Sequence, residues 1–274
     1  TVYDAVGNVL AATDGDGRTT RVAVDALNRR VLTTLPHGAT TATLYDAVGQ
    51  RVAEIDADGR RTSFGYDALG RLIAVTDALG QVTRYGYDEV GNQVSQTDAL
   101  GRVTAYAYDD LGRRVRRTLP MGQVEDLVYD VAGRLSRHTG FRGFSTDYAY
   151  DTMGQVTAEA PDARLAEAGV LFTYTPDGRR ATMADAVGLT TYSYDAVGRL
   201  SERATPVGTV RYGYVGAGGQ GAGQLASIQS ELGTPVGYGY DTLGRLAAVN
   251  GLGVETAMTY TPGGALASLR QRVR

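Results

Sequence analysis

The chain has 274 residues, of which 43% are hydrophobic and 21% charged, and a formal net charge of −3 at pH 7. This is the composition of an ordinary globular protein, and the absence of a basic excess argues against a nucleic-acid partner. The chain has no cysteine, which excludes disulfides, thiol catalysis and cysteine-ligated metals, and no run of 18 apolar residues that would predict a membrane span.

A repeat of 21 residues organises the chain from its beginning. Each unit opens with a residue that is usually Tyr, followed in most units by Asp and, four residues after the opening, by Gly. The opening residues are Tyr3, Val24, Tyr45, Tyr66, Tyr87, Tyr108, Tyr129, Tyr150, Tyr174, Tyr194, Tyr214, Tyr240 and Tyr260. Because a fixed period decides the architecture, we interpret the chain as thirteen copies of one supersecondary unit.

The segment Tyr-Asp-x-x-Gly predicts a tight turn. The Asp carboxylate can accept a hydrogen bond from the backbone two residues on, and the Gly suits the left-handed residue that closes a three-residue hairpin with a bulge. Asn28 replaces this Gly in one unit, and Asn tolerates positive φ well. We expect the structural turn motif to consist of Tyr45, Asp46, Gly49, Tyr66, Asp67, Gly70, Tyr87, Asp88, Gly91, Tyr108, Asp109, Gly112, Tyr150, Asp151, Gly154, Tyr194, Asp195, Gly198, Tyr240, Asp241 and Gly244.

A second turn ends fourteen residues after the opening of each regular unit. Before each opening residue the side chains alternate in size, as a strand requires, and the strand after the first turn carries an apolar residue such as Val52, Ile73 or Val94. Each unit is therefore strand, turn, strand, turn. The predicted fold is all-β: an antiparallel β-strip of about thirteen hairpin units and about 26 strands, coiling into a superhelical ribbon or part of a hollow shell.

The period divides one continuous strip into two regions. Residues 1–158 hold regular 21-residue repeats, and residues 159–274 hold degenerate repeats with insertions. The insertion at residues 161–169 predicts a short helix or wide loop that ends at Gly169. The glycine-rich insertion at residues 216–223 predicts a flexible hairpin tip rather than a phosphate loop, because no Lys-Ser or Lys-Thr follows it. Since the sequence begins inside a repeat, we expect it to be part of a longer polypeptide.

Two patterns suggest metal or catalytic chemistry, but for both we favour a structural explanation. Residues 14–17 and 56–59, with the sequences DGDG and DADG, resemble the start of a calcium loop, but the later ligands of such a loop are missing. The two histidines, His37 and His138, are about a hundred residues apart, and no spacing joins them to a Ser-His-Asp site. We therefore expect turn chemistry at the Asp pairs and structural roles for both histidines.

The densest basic run is Arg113, Arg114, Arg116 and Arg117. On a regular strand Arg114 and Arg116 would face one way, and Arg113 and Arg117 the other. This would split the charge between two faces instead of forming a patch for a polyanion. The favoured interpretation is an ordinary solvated strand or charge that lines a cavity.

Several segments resemble the Rhs repeat, also called the YD repeat. They are YDALGRL at residues 66–72, YDAVGRL at 194–200, YDTLGRL at 240–246 and TDALGRVT at 97–104. The family includes bacterial Rhs polymorphic toxins, wall-associated proteins, the C components of insecticidal toxin complexes and animal teneurins. The resemblance implies a spiral β-strip that closes into a hollow cocoon around a C-terminal toxin domain, and it carries over no catalytic residue.

The function that this resemblance implies is a non-enzymatic wall segment of a secreted Rhs-type toxin. Its partners would be a toxin or effector domain of the same polypeptide, flanking shell segments and a delivery domain that this sequence lacks, and its location would be secreted or at the cell surface of an exporting bacterium. The alternative is an extracellular ribbon that binds carbohydrate or a cell surface, because Tyr-rich surfaces can stack on sugar rings. We expect no catalytic residue, cofactor, metal or nucleic-acid partner.

Overall fold

The structure, a computed structural model, describes residues 1–231 and 233–273. These residues form 26 β-strands and one 3₁₀ helix, Ala163–Leu165. The strands are short, joined by tight turns and antiparallel to their partners. The prediction of an all-β antiparallel strip with about 26 strands is therefore confirmed.

The chain divides into two compact units, which are described separately. The first unit contains Thr1–Leu127 and Gly140–Gly143, and the second contains Val128–Thr139 and the chain from Phe144 onward. The strands of the first unit are β1 Val2–Tyr3, β2 Val9–Thr13, β3 Thr19–Val24, β4 Arg30–Thr34, β5 Thr40–Tyr45, β6 Arg51–Ile55, β7 Arg61–Tyr66, β8 Leu72–Thr76, β9 Val82–Tyr87, β10 Gln93–Thr97, β11 Val103–Tyr108 and β12 Arg114–Thr118.

Strand β13, Val124–Tyr129, runs across the division between the two units. The strands of the second unit are β14 Leu135–Thr139, β15 Ser145–Tyr150, β16 Val156–Pro161, β17 Val170–Tyr174, β18 Arg180–Asp185, β19 Gly188–Tyr194, β20 Leu200–Thr205, β21 Gly208–Tyr214, β22 Leu225–Ser230, β23 Val236–Tyr240, β24 Leu246–Gly251, β25 Val254–Tyr260 and β26 Leu266–Val273. All thirteen opening residues are the last residues of odd-numbered strands.

A β-bulge lies on the strand after the first turn of the repeat unit, whereas the sequence predicted a bulge at the residue that closes the turn. Tyr66 pairs with Leu72 and Gly65 pairs with Ala74, so Ile73 has no partner on β7. The register shifts in the same way in the other first-turn hairpins whose pairing is described. The apolar residues expected after the first turn, including Val52 and Val94, are therefore the extra residues of bulges, which bend a strand and increase its twist.

The two faces of the strips differ in side-chain size and burial. In β11, Tyr106 and Tyr108 are half-buried on one face, which we call the aromatic face. Ala105 and Ala107 are exposed on the opposite face, which we call the small face. The opening residue of each unit lies on the aromatic face, as the alternation in the sequence predicts.

Neither of the two compact units has a closed hydrophobic core. Among the described residues, only Ala53, Phe172 and Thr190 are buried. The accessible surface is 17211 Å², whereas a compact monomer of 29.0 kDa would expose about 11,400 Å². Because strands contact their neighbours along the chain, the sheet within each unit is a single layer that relies on contacts between neighbouring strands.

The insertion at residues 161–169 contains the short 3₁₀ helix, but Gly169 does not end it. Asp162 caps the helix at its start by accepting a bond from the Arg164 backbone, and the left-handed residue at its end is Ala166, with φ 51°. Gly169 instead ends the loop, as predicted, because β17 begins at Val170. A Cβ on Gly169 would lie 2.8 Å from the backbone oxygen of Glu159.

The glycine-rich insertion forms a series of hydrogen-bonded turns. The Val215 backbone N–H donates to Gln224 O at 2.8 Å, and the Gly223 N–H donates to Val215 O at 2.9 Å. Gly223, with φ 82°, therefore closes this first turn, whereas the spacing of four residues from Tyr214 points to Gly218. The cause is that the inserted residues form their own turn, in which Gly219 N–H donates to Gly216 O. The flexibility of this tip remains a prediction.

Candidate functional site

The repeated turn is the site that the chain presents most often, and the turn at Asp67 shows its geometry. The Asp67 N–H donates to Arg71 O and the Gly70 N–H donates to Asp67 O, both at 3.0 Å. Carboxylate Oδ1 accepts from the backbone N–H of Leu69 and of Arg71, both at 2.9 Å. Oδ2 accepts from Arg71 Nε at 2.7 Å. One carboxylate thus fixes the middle and the end of the turn.

The other residues of the expected turn motif occupy equivalent positions. The Asp residues that accept the same pair of backbone bonds are Asp46, Asp88, Asp109, Asp151, Asp195 and Asp241. The glycines with φ between 73° and 98° are Gly49, Gly70, Gly91, Gly112, Gly154, Gly198 and Gly244. Asn28, at the equivalent position, has φ 61°. Each turn is therefore closed by a left-handed residue.

The opening tyrosines bind the preceding unit through their hydroxyl groups. Tyr66 Oη donates to Arg51 O at 2.9 Å, and Tyr87 Oη donates to Leu72 O at 2.8 Å. Each acceptor is the first residue of the even-numbered strand in the preceding unit. The same bond occurs at Tyr45, Tyr108, Tyr150, Tyr174, Tyr194, Tyr214, Tyr240 and Tyr260. The tyrosine therefore spans a hairpin to reach the previous turn.

An arginine makes a second connection between successive repeat units. The Arg71 guanidinium, held by Asp67, lies 4.9 Å from the ring centroid of Tyr87, and its Nη1 donates to Asp88 O at 3.0 Å. Arg134 repeats both contacts in the second unit, on Tyr150 and on the next turn. Similar stacking joins Arg29 to Tyr45, Arg179 to Tyr194, Arg199 to Tyr214 and Arg245 to Tyr260.

We call this set, the Asp and Arg of one repeat unit and the Tyr of the next repeat unit, the inter-unit link. Sequence reasoning found the Tyr and Asp but missed the Arg, although Arg, Gln or Asn follows the closing residue in nearly every unit. Where Gln replaces Arg, its amide still reaches the next unit: Gln155 Nε2 donates to Gly178 O at 2.8 Å, and Gln224 Nε2 donates to Gly244 O at 2.9 Å. Arg and Gln at this position are long enough to reach the next turn.

The turn carboxylates are held in their ionised form. Backbone hydrogen bonding from Arg71 lowers the pKa of Asp67 below 3.8, the Arg71 side chain adds to this effect, and partial desolvation opposes it. The pKa is lowered with the same leading cause at Asp98, Asp130, Asp195 and Asp241. Because hydrogen bonds favour the charged form, these groups are structural anions and poor proton donors at neutral pH.

The candidate calcium loops use their carboxylates within the turn. Asp14 Oδ1 accepts from the Arg18 backbone at 2.9 Å, and Asp14 Oδ2 accepts from Arg18 Nε at 2.9 Å. In the other segment, Asp58 pairs with Arg60 at 2.7 Å. No group of three or more His, Asp or Glu side chains that could hold a metal ion occurs in residues 1–231 and 233–273.

The two histidines are in unrelated surroundings. His37 lies in the exposed turn between β4 and β5, and His138 lies on β14 opposite Thr146.

The basic run does not alternate as the sequence analysis predicted. Arg113 lies in the turn, bound to Asp109 at 2.7 Å. Arg114 is on the face of Tyr106, 6.0 Å from its ring centroid, and Arg117 pairs opposite Tyr106. The prediction that Arg114 and Arg116 share a face was wrong, because the bulge on β12 inserts one residue and inverts the alternation.

Arg116 lies on the small face and forms a two-bond ion pair with Asp126, at 2.6 and 3.2 Å. The positive charge of the run is thus divided between a paired surface arginine and the aromatic face.

A cleft of about 370 Å³ lies beside the turns of β18–β19 and β20–β21. Its walls are mostly apolar, with Met183, Pro206 and Val207 among them. Its two carboxylates are engaged by the backbone: Asp185 Oδ1 accepts from Val187 N–H at 2.8 Å, and Glu231 Oε2 accepts from Thr209 N–H at 3.2 Å. The cleft therefore lacks a pair of free carboxylates for acid–base chemistry.

The fold and the repeated turn define a class of protein, the antiparallel β-repeat strip. Family comparison then identifies the repeats: the RHS Repeat matches residues 45–82, 66–98, 87–124 and 174–210. These segments are RHS repeats, and the resemblance to the Rhs, or YD-repeat, family is confirmed. Among curated protein sequences, none matches the chain.

Solved structures of toxin complexes share this fold. The crystal structure of TcdB2-TccC3-Cdc42 is 14% identical, with a TM-score of 0.66 over 99% of this chain and 18% of that chain. A Tc holotoxin pore of Photorhabdus luminescens with a mutated TccC3 is 17% identical, with a TM-score of 0.61 over 100% of this chain and 18% of that chain. The chain thus spans about 18% of the length of these structures, and at such identities the likeness concerns the fold.

The described part of the chain contains no helix that is long and apolar enough to cross a membrane. The RHS repeat and the toxin-complex strips to which the chain is similar are structural elements.

Proposed function

We propose that the chain is a wall segment of an Rhs-type secreted toxin and helps to enclose a toxin or effector domain of the same polypeptide. The segment itself catalyses no reaction. Support comes from the RHS repeats and from the fold shared with TcdB2-TccC3 complexes. Further strip on either side would complete the enclosure by coiling into a shell, and a delivery domain would bring the polypeptide out of the bacterium.

The observation that carries the proposal is the single-layer sheet. Globular domains cover a sheet face with helices or a second sheet, yet only three of the described residues are buried. A layer with two open faces suits a wall, because one face can meet solvent while the other meets an enclosed domain.

The inter-unit link explains how one layer can keep its shape without a core. The Tyr87 hydroxyl and the Arg71 guanidinium connect successive turns, in addition to the backbone ladder. Since register in a one-layer sheet is poorly fixed by burial, this second set of bonds supplies the register. A wall of many units needs such a device in nearly every unit, and the chain repeats it.

The same contacts favour the wall over the carbohydrate-binding ribbon. A tyrosine that stacks on a sugar needs one free ring face and benefits from a free hydroxyl. Tyr87, Tyr150 and Tyr260 use their hydroxyl groups on backbone carbonyls and also carry a guanidinium against the ring. These rings are engaged in holding the strip together.

Limited proteolysis of the parent polypeptide, followed by mass spectrometry, tests the proposal. The domain that follows the strip should survive digestion in the wild-type protein. It should be digested at the rate of the isolated domain when Gly91→Val and Gly244→Val open the strip, and it should remain protected in the control with Asn at both positions. Digestion at the same rate in all variants would contradict the container function and favour adhesion.

A further inference from the structure

In the first compact unit, the tips of the first turns carry an unbroken row of exposed aliphatic side chains. Each of these residues directly precedes the residue that closes its turn, and each is 68–85% exposed. The row, which we call the tip row, consists of Val6, Leu27, Val48, Leu69, Val90 and Leu111. All six belong to the first compact unit.

Such a row is unusual because turn tips that face water are normally polar. The opposite edge of the same unit follows this rule in part. At the equivalent position of the second turns, Asp16, His37 and Asp58 occupy the first three places. An aliphatic side chain is not required by the turn itself, since Asp177 fills the same place in the first turn of residues 175–178. The tip row therefore calls for a partner.

The spacing and order of the tip row fit a second copy of the same row. Successive first turns are two strands apart, about 9.6 Å, so the tips of two copies can meet one to one along the row. Val and Leu alternate along the row. A two-fold axis midway between Val48 and Leu69 would oppose a Val to a Leu at every position, and a two-fold interface requires such self-complementarity.

We propose that the tip row is the docking edge for a second copy of the chain, arranged antiparallel around this axis. Each aliphatic side chain offers about 100 Å² of apolar surface, so the row offers about 600 Å² on each copy, before the neighbouring Ala residues are counted. A standard interface buries about 800 Å² on each partner. The proposal is independent of the container function.

The charges near the row suit this arrangement. The residue directly before each tip is an alanine in the first four turns, namely Ala5, Ala26, Ala47 and Ala68. In the last two turns it is an acid, Glu89 or Asp110. In the antiparallel pair these two acids lie towards the outer ends, where interfaces are polar and solvated.

Sedimentation velocity of the chain over a range of concentrations tests the proposal. The wild-type chain should form dimers. Val48→Asp with Leu69→Asp should raise the dissociation constant at least tenfold, because each copy would bring two charges to the axis. The matched control is Leu79→Asp with Leu100→Asp on the opposite edge, where the residues have the same place in the turn and are 83% and 77% exposed; it should dimerise as the wild type does.

Asp at the tested position is compatible with the turn, as Asp177 shows, and an unchanged circular dichroism spectrum would verify folding. The milder pair Val48→Thr with Leu69→Thr should weaken dimers in the same direction. A monomeric wild-type chain, or equal weakening by the two Asp pairs, would overturn the proposal.

Discussion

Most later repeats keep the first turn of the earlier repeats but differ from them in the second turn. Before residue 125 the second turns share the backbone frame of the first: the Asp77 N–H donates to Gln81 O and the Gly80 N–H donates to Asp77 O. In the second unit three second turns shrink to two residues, between the paired residues Asp185 and Gly188, Thr205 and Gly208, and Gly251 and Val254. First turns such as residues 195–198 and 241–244 are unchanged.

This difference shows which turn determines the unit. The first turn holds the Arg that reaches the next repeat unit and is followed by the bulge, whereas the Asp carboxylate also occurs in second turns such as that of Asp98. The second turn reverses the chain without a bulge, so it can shorten without moving the next opening Tyr from the end of its strand. The division into regular residues 1–158 and degenerate residues 159–274 remains a proposal, which the variants below can sharpen.

Acid should have the largest effect on stability. The reason is that first turns of both regions contain an Asp carboxylate that accepts two backbone hydrogen bonds, which we call the Asp clamp. The lowered pKa values of Asp67 and Asp241 mean that their contribution to stability is complete above the unfolded value of about 3.8, and is lost as the pH falls through the lower folded value. The melting temperature should be insensitive to pH between about 7 and 5 and should fall steeply below about 3.8. Peptide-resolved hydrogen exchange should show the loss in both regions, and protection lost from one region alone would contradict the shared clamp.

Gly91→Val should have the next largest effect. Gly91 has φ 98° and open space around it, so the cost is backbone strain, about 1–3 kcal/mol of unfolding free energy. Gly91→Asn is the matched control, since Asn28 adopts φ 61° at the equivalent position; it should cost less than half as much. Denaturant unfolding measures both, and equal costs would show that the left-handed conformation does not matter here.

Removing the clamp by Asp67→Ala should destabilise the strip less than Gly91→Val. The double variant Asp67→Leu with Ala68→Pro converts this first turn to the Leu-Pro-x-Gly type that residues 35–38 and 119–122 use with the same backbone bonds. It should restore part of the lost stability, because the turn re-forms without its hold on Arg71. Complete recovery in denaturant unfolding would mean that the Asp serves the turn alone.

Arg71→Ala should have the smallest effect, about 0.5–1 kcal/mol, the usual value of a cation–π contact at an exposed site. Arg71→Gln should cost less, because Gln155 and Gln224 reach the next turn from the equivalent position. A double-mutant cycle with Tyr87→Leu measures the coupling. Additive losses would show that the stacked pair contributes nothing to the connection between units.

Much of this fold could be predicted from the repeat, and what was missed has a common cause. The period and the turn chemistry located every opening residue at a strand end, because Asp and Gly have local roles that the sequence displays. The bulge at Ile73 and the facing of Arg114 were missed because both depend on pairing with another strand. Gly223 was missed because an insertion moved the closing residue away from the expected spacing.

The inter-unit link was missed for the same reason. Arg71 and Tyr87 are sixteen residues apart, and only the hairpin between them brings the guanidinium to the ring. The regular recurrence of Arg, Gln or Asn after the closing glycine was visible in the sequence, but its target was not.

A cryo-electron microscopy map of the parent polypeptide tests the central claim most directly. The account predicts that these repeats form part of a closed wall, one β-layer thick, with density for a further domain on the enclosed side. A map in which the strip has solvent on both faces and the downstream domain lies outside it would contradict the container function.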